Sequence, residues 1–265
     1  MYRATILLFA LALATAACKP KEEATVDNTA KPTTEAPAPT APTQAEAPTP
    51  AAEGVGTIVG KITLAGEAPK MADLDRKSDP FCAKTKKIEP YVRAAGGNLQ
   101  DVLVRLPVGA AKGAPAAPAV VSQHECMYEP FVTGVMTGES VIIKNADKTT
   151  HNIHTYDGDE TLFNEAQPPG APDLNKTVES DGGTVIKFQC DVHKWMQAHV
   201  VVTDHPFFAV SGADGSYKIE KVPAGEYELE AWHPYLGVQK VKVDVKKDAT
   251  AEIAFTFKAA DYNKP

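Results

Sequence analysis

The chain lacks the short patterns by which many enzymes are recognised. Its 265 residues contain no Gly-x-Ser-x-Gly turn for a serine nucleophile and no glycine-rich loop that could cradle a phosphate. Basic residues are in the minority, since 27 Lys and Arg face 34 Asp and Glu, for a net charge of −7. We therefore predict that the protein is not an enzyme and binds no nucleic acid, and that its charge suits a basic protein partner.

Long apolar runs are nearly absent as well. The clearest one, residues 6–17, follows Arg3 and is too short to cross a bilayer, which is typical of a signal peptide. It ends in Thr15-Ala16-Ala17-Cys18, which resembles a bacterial lipobox and implies lipidation of Cys18. Lys19 follows where an Asp would favour an inner membrane. The resemblance thus implies an exported protein, lipid-anchored to the bacterial envelope on the periplasmic side of the outer membrane. The alternative is an ordinary signal peptide cut near Ala17, with Cys18 a free thiol.

Aromatic residues are missing from residues 18–54, which are rich in Pro, Ala and Thr. Such a segment cannot bury enough apolar surface to offset the entropy of ordering. Pro-rich chain extends by about 3.1 Å per residue, so the segment would act as a long tether. We predict a signal peptide over 1–17, a disordered tether over 18–54 and a folded body from residue 55.

Cysteine is scarce, with four in the chain. Cys82 and Cys126 lie in polar, turn-rich stretches, and two such cysteines in an exported protein most often pair. We therefore predict a disulfide between Cys82 and Cys126. In a competing interpretation, Cys126 and the nearby His124 form a second metal site.

Long amphipathic helices are also missing from the body of the chain. Fourteen short runs rich in β-branched and aromatic residues, separated by Gly, Pro, Asn and Asp, predict strands between residues 56 and 258. This pattern is typical of a β-sandwich or barrel. The chain is therefore predicted to be all-β.

Residues 213–237 read ADGSYKIEKVPAGEYELEAWHPYLG, a series of hairpin-like strands and turns. They resemble the second half of a carboxypeptidase regulatory-like (prealbumin-type, Cna-B-like) sandwich. The opening strand of such domains has no counterpart just before residue 205, but residues 56–64 match its pattern. We expect one such sandwich built from 55–112 and 205–260, with another module, 113–204, between its halves.

The segment 113–204 contains Tyr128-Glu129-Pro130-Phe131, a strand ending at Asn145, and then His151-Asn152. A second strand, 183–190, leads into Cys190-Asp191-Val192-His193-Lys194-Trp195-Met196. In order and spacing these features resemble a small cupredoxin. The resemblance implies a cupredoxin-like Greek-key sandwich, inserted in or joined to the prealbumin-like β-sandwich.

Cys190, His193 and Met196 place a thiolate, an imidazole and a thioether on one tight turn. Soft sulfur ligands with imidazole suit copper, and a His2Cys set with a weak axial Met is a blue-copper site. One type 1 copper per chain is the predicted cofactor. Zinc could use the same ligands, although Met is a poor zinc ligand.

Strand periodicity selects the second histidine. Residues 151, 153 and 155 share one face of a strand, and Ile153 is its apolar member, so His151 should point inward and His154 outward. His154 could still be an outer group or an added ligand. The resemblance further implies that the Asn152 amide steadies the thiolate. It also implies that one edge of His193 reaches solvent, with Trp195 adding an apolar contact surface.

These features predict electron transfer in the cell envelope through one copper, with a redox partner such as a cytochrome, an oxidase or a dehydrogenase. Two alternatives remain from the sequence. One is a copper carrier or storage protein that has no redox partner. The other is a module that binds envelope glycans or proteins without any metal.

Overall fold

The computed structural model describes residues 52–113 and 117–265. The proposed signal peptide, Cys18 and nearly all of the tether lie outside these residues, so the expectations for them stay predictions. Among the described residues, none of the helices is long and apolar enough to cross a membrane.

Regular structure in the described residues consists of eighteen strands and two short 3-10 helices. The first nine strands are β1 (Ala52–Ala65), β2 (Ala94–Ala95), β3 (Asn98–Leu99), β4 (Leu103–Arg105), β5 (Ala119–His124), β6 (Met127–Glu129), β7 (Val132–Met136), β8 (Ser140–Asn145) and β9 (His151–Asp157). The others are β10 (Glu160–Gln167), β11 (Leu174–Thr177), β12 (Val185–Gln189), β13 (Gln197–Thr203), β14 (Phe208–Val210), β15 (Ser216–His233), β16 (Gly237–Val245), β17 (Thr250–Glu252) and β18 (Phe255–Lys258). The 3-10 helices are Cys82–Lys84 and Ala259–Asp261.

The largest sheet has β1 and β15 at its centre. Strand β1 pairs antiparallel with β15 and parallel with β17 and β18, while β15 also pairs with β4 and β16. The two ends of the folded body are therefore joined within one sheet. Gly60 allows a close approach in β1, because a Cβ at that position would lie 1.7 Å from the carbonyl oxygen of Ile253.

Alternating apolar residues on these strands bury a core beneath the sheet. Ile58 and Ile62 of β1 are fully buried, and Tyr217 and Ile219 of β15 pack in the same cluster with Phe257. This period of two is what a half-buried strand requires, since successive side chains point to opposite faces. The core thus draws on residues from both ends of the described chain.

The other two sheets pack against each other as a sandwich. One has the order β10-β9-β12-β13-β7 and the other β11-β8-β5-β6. Their shared core contains Val121 and Ile143 from the second of these sheets and Ile153, Phe188 and Val200 from the first. Cys190 and Met196 belong to this same buried cluster.

A third apolar cluster contains residues from strands of both the large sheet and the sandwich. Leu103 of β4 is buried there with Val132 of β7 and Tyr235. All described residues fall within one compact unit, Thr49–Pro265. The predicted boundaries near residues 112 and 204 stay a prediction.

The prediction of an all-β chain is confirmed, since strands and connecting loops make up nearly all of the described structure. The series of short strands and turns expected over 213–237 is only partly found, because β15 is continuous through Pro223, Ala224 and Gly225. The strand pairs with β1 on one side of this point and with β16 beyond it, so a change of partner replaces the turn.

Candidate metal centre

Two neighbouring strands bring the first candidate ligands together. Strand β9 pairs antiparallel with β12, with His154 opposite Gln189 and Thr155 opposite Phe188. His151 at the start of β9 therefore lies close to Cys190, which follows the end of β12. Both residues are fully buried.

The turn between β12 and β13 adds the third candidate ligand, His193. The backbone N–H of His193 donates to Cys190 Sγ at 3.4 Å, and the backbone N–H of Met196 donates to the carbonyl of His193 at 2.8 Å. The backbone N–H of Cys190 in turn donates to the carbonyl of Met196 at 3.2 Å. These bonds fold the side chains of Cys190 and His193 to the same side, and Met196 is fully buried in the core beside them.

Three donor atoms converge inside this end of the sandwich. The Nδ1 atoms of His151 and His193 lie 2.9 Å apart, and Cys190 Sγ lies 3.8 Å from His193 Nδ1. One ligand atom from each of the three residues lies within 4.8 Å of the other two. Two imidazole nitrogens 2.9 Å apart either share one proton or both face the same cation. The cluster therefore has the composition and spacing of a group that can hold a metal ion.

Electrostatics favour the anionic form of the sulfur. Burial raises the pKa of the Cys190 thiol, but hydrogen bonds with His151 and His193 and with the amides of Asn152 and His193 outweigh it and lower that pKa to about 6. A thiol with this pKa is largely thiolate at neutral pH, and the thiolate is the metal-binding form. The Asn152 amide donates to Sγ at 3.5 Å.

The buried carboxylate of Asp147 holds the Nε2 atom of His151, the ring nitrogen that points away from Cys190. Asp147 Oδ2 lies 2.8 Å from His151 Nε2 and also accepts the backbone N–H of Cys126, while Oδ1 accepts that of Glu125. Burial raises the pKa of Asp147, but these bonds outweigh it and lower the pKa. Burial lowers the pKa of His151, and hydrogen bonds with Asp147 and Cys190 raise it above its ordinary value. A carboxylate on Nε2 sets the tautomer that leaves Nδ1 free to bind.

A second carboxylate plays the same part for His193. Asp79 Oδ2 lies 3.1 Å from His193 Nε2 and accepts the hydroxyl of Thr149 at 2.7 Å. Asp79 Oδ1 accepts the amides of Phe81 at 2.7 Å and Cys82 at 3.2 Å. Burial raises the pKa of Asp79, but these bonds together lower it to about 2. Asp79 comes from the connection between β1 and β2, far from the sandwich in sequence.

This connection corrects the expectation that one edge of His193 reaches solvent. His193 is only 1% exposed, because Asp79 and Cys82 lie over the ring edge that carries Nε2. Trp195 is half-buried rather than a free contact surface, and its indole N–H donates to the carbonyl of Cys126 at 3.0 Å. The sequence of the turn alone could not show that a distant segment covers it.

Cys82 and Cys126 form a disulfide. The alternative prediction, a second metal site formed by Cys126 and His124, is therefore wrong for the disulfide-bonded protein. The His124 side chain is exposed and lies near Glu129. The disulfide joins the segment that carries Asp79 to the turn whose amides bind Asp147. It thus connects the two carboxylate–histidine pairs.

Two other histidines, His154 and His199, lie outside the three-residue cluster. His154 is partly exposed, and its Nδ1 lies 3.0 Å from Asp191 Oδ2 and 2.8 Å from Tyr156 Oη. His199 is buried among aromatic rings on the other face of β13, 5.4 Å from Phe131 between ring centroids. Neither contributes a ligand atom to the cluster.

Asp79 and Asp147 were missed from the sequence. Asp147 had a weak signal, since it precedes His151 by four residues in a loop that Asn145 organises through its side chain. Asp79 had only an indirect one: it lies three residues before Cys82, and the expected disulfide to Cys126 could have placed it near the sandwich.

Comparison with known proteins gives one family match. Residues 191–264, about a quarter of the chain, match the model of the ER membrane protein complex subunit 7 β-sandwich domain. No curated protein sequence matches the chain.

Several solved structures match part of this chain, among them the following three. A purple cupredoxin from Nitrosopumilus maritimus is 24% identical, with 32% of this chain and 99% of that one covered and a TM-score of 0.28. A copper-containing nitrite reductase from Thermus scotoductus SA-01 is 20% identical, covering 37% and 25% of the two chains, with a TM-score of 0.29. Amicyanin from Paracoccus versutus is 22% identical, covering 37% and 96%, with a TM-score of 0.29. At such TM-scores these similarities carry no argument about fold or function.

The family assignment from the sequence was therefore wrong. It named cupredoxin and carboxypeptidase regulatory-like domains in a bacterial lipoprotein, whereas the matching family model is that of a eukaryotic complex subunit. The physical reason is that short strand-and-turn patterns recur in many β-sandwiches without common sequence.

Proposed function

We propose that the protein holds one copper ion between His151, Cys190 and His193, with Met196 as a weak fourth ligand, and that it transfers electrons. The observation that carries the proposal is the convergence of two imidazole nitrogens and a thiolate in a fully buried cluster. One thiolate and two imidazoles with a thioether nearby form the ligand set of copper electron-transfer sites.

The donor atoms fit copper better than other common metals. Mg²⁺ and Ca²⁺ prefer oxygen ligands, and the carboxylates of Asp79 and Asp147 are already bound to histidine Nε2 atoms. Zinc accepts Cys and His, but the buried thioether of Met196 adds nothing to a zinc site. Soft sulfur beside imidazole favours copper.

Copper would supply a one-electron couple, and the residues around it keep the ligands in place. Asp147 and Asp79 hold the two imidazoles through their Nε2 atoms, so both rings present Nδ1 to the thiolate. The amides of Asn152 and His193 hold the Cys190 sulfur. Burial excludes water from the cluster. A fixed, dry set of ligands needs little rearrangement when charge changes, which suits an electron carrier and not an enzyme.

Electron exchange with a partner would use the turn rather than the His193 edge. Val192 lies on the turn between two ligands and is 58% exposed. Asp191 and Lys194, next to Cys190 and His193, are also exposed. We propose that a redox protein docks here through a small contact, as is usual for brief redox encounters. The acidic chain suits a basic partner.

The disulfide supports a location outside the reducing cytosol. Disulfides persist in oxidising compartments and are rare where thiols are kept reduced. We therefore propose that the folded body works in an exported location. The disulfide and the covered ring edge of His193 also favour stable retention of a metal over a carrier that exchanges it readily.

The test is to load the purified protein with Cu²⁺ and to measure bound copper and the visible spectrum. Wild type should hold one copper per chain with an intense thiolate-to-copper band and should lose the band reversibly on reduction. Cys190→Ser should lose the band. His154→Ala is the matched control, because His154 lies close by on β9 but contributes no ligand atom, and it should keep the band.

A colourless wild-type protein after loading would refute the proposal. An unchanged band in Cys190→Ser would equally remove Cys190 from the site.

A further inference from the structure

The two imidazoles have a second set of donor groups on their outer side. Their Nδ1 atoms face Cys190, and their Nε2 atoms face the two carboxylates and the disulfide. Ligand atoms of Asp79, Cys82 and His193 lie within 4.8 Å of one another, and so do those of Cys126, Asp147 and His151. Each disulfide sulfur thus has a carboxylate and an imidazole beside it, and Cys82 Sγ is 3.7 Å from His193 Nε2.

Three of these outer groups are buried like the inner ones, and Asp79 is partly exposed. Cys82 and Cys126 are 1% and 0% exposed, and the Asp147 side chain is almost completely enclosed. A disulfide sulfur is a poor metal ligand, because the thiolate is the metal-binding form of cysteine. The outer groups therefore lack only two thiolates to become a sulfur-rich site with imidazole and carboxylate neighbours.

Reduction would supply those thiolates. A dithiol gives two electrons and two protons to the Cys82–Cys126 bond, which breaks into two thiols while the dithiol becomes a disulfide. A phosphine gives the two electrons, and one water supplies the two protons of the thiols and the oxygen of the phosphine oxide that forms. A soft cation then displaces the thiol protons. Two thiolates near imidazole are preferred by monovalent copper.

We propose that the dithiol form of the protein binds a second, soft cation, Cu⁺, between Cys82 and Cys126 on the Nε2 side of His151 and His193. The inference deepens the proposed copper function, since the count of two ions assumes an inner site. The outer site itself does not need Cys190. In the oxidised protein the disulfide closes the outer site, and in the reduced protein the site stores copper.

The experiment counts tightly bound Cu⁺ per chain by competition with a coloured cuprous chelator, without oxygen. The full chain is used as purified or after treatment with a trialkylphosphine that is removed before titration. Circular dichroism of the reduced protein checks that it stays folded. We expect one ion in the oxidised form and two in the reduced form.

Two variants assign the second ion. Reduced Cys190→Ser should bind one ion, which the outer site alone provides. Cys82→Ser/Cys126→Ser should bind one ion with or without phosphine treatment. Cys82→Ser alone, which keeps one outer thiol, should bind the second ion at least about tenfold more weakly than reduced wild type.

A single ion in folded, reduced wild type would overturn the inference, as would two ions in Cys82→Ser/Cys126→Ser. If the oxidised wild type binds none while reduced Cys190→Ser binds one, the outer site stands and the proposed electron-transfer site fails.

Discussion

Replacing Asp79 by Asn tests how far a distant segment controls the metal centre. The change keeps the size of the side chain, and its Oδ1 can still accept the amides of Phe81 and Cys82, which hold the segment in place. The hydroxyl of Thr149 can rotate to accept a hydrogen bond from the new amide group. The one contact that cannot adapt is that with Nε2 of His193, 3.1 Å away.

Asp79→Asn should change which ring nitrogen of His193 carries the proton. The carboxylate stabilises a proton on Nε2 and leaves Nδ1 free, whereas an amide NH2 facing Nε2 favours the proton on Nδ1, the nitrogen that faces Cys190. A hydrogen bond to a charged group contributes about 1.5–3 kcal/mol. Loss of such a partner of a metal-binding histidine costs about 10–100-fold in metal affinity. We therefore expect Asp79→Asn to weaken copper binding by 10–100-fold, or about 1.4–2.7 kcal/mol.

The assay is competition for copper against a chelator of known affinity, with thermal unfolding as a check on the fold. Asp75→Asn is the matched control, because it removes the same charge from an exposed residue of the same segment that does not contact either histidine. Its copper affinity should equal that of wild type. If Asp79→Asn also stays within twofold of the control, the carboxylate does not set the tautomer and the reasoning is wrong.

Three further changes test the fold. Gly60→Ala should lower the free energy of unfolding in urea by at least about 2 kcal/mol, because its Cβ would overlap the carbonyl of Ile253; a change below about 0.5 kcal/mol would contradict this close approach. Burial, helped by Lys187, lowers the pKa of His199 to about 4. The pKa of this histidine in the unfolded chain is about 6.5, so the folded state binds the proton less readily than the unfolded state. Neutral His199 therefore adds its full stabilisation above about pH 6.5, and the free energy of unfolding should fall as the pH drops towards 4, by about 2 kcal/mol at pH 5. In urea unfolding, His199→Phe should lose less stability than wild type between pH 7 and pH 5, by the amount that His199 contributes. An equal loss in both proteins would contradict the lowered pKa of His199. Tyr128→Phe deletes a buried hydrogen bond to the carbonyl of Asn152 and should cost about 1 kcal/mol; equal urea midpoints for the two proteins would show that the bond adds nothing.

The periodic parts of the chain were the predictable ones. Alternation in runs such as 183–190 indicates strands, because only one face of each strand is buried. The same alternation in the strand that contains Ile153 predicts that His151 points inward and His154 outward. In the structure His151 is fully buried and His154 is partly exposed. The short spacing also predicts that Cys190 and His193 lie together, because residues three apart on a tight turn can be joined by a local hydrogen bond. In the structure the backbone N–H of His193 donates to Cys190 Sγ.

The unpredictable parts depend on contacts between distant segments. The connection that carries Asp79 has no periodicity, and two contacts with distant residues hold it over His193, namely the hydrogen bond from Thr149 to Asp79 and the disulfide from Cys82 to Cys126. Neither can be derived from the turn itself. For the same reason the strand β15 passes through Pro223 and Gly225, since two different neighbouring strands support its two halves.

X-ray absorption at the copper edge, on loaded protein in its oxidised and reduced states, identifies the atoms that surround the metal in each state. We expect two imidazole nitrogens and one close sulfur, that of Cys190, in both states, with the Met196 sulfur as a more distant fourth neighbour. The distances should change little between the states, because Asp79, Asp147 and the amides of the turn hold the ligands. A copper surrounded by oxygen, or one that loses its close sulfur neighbour on reduction, would contradict this expectation.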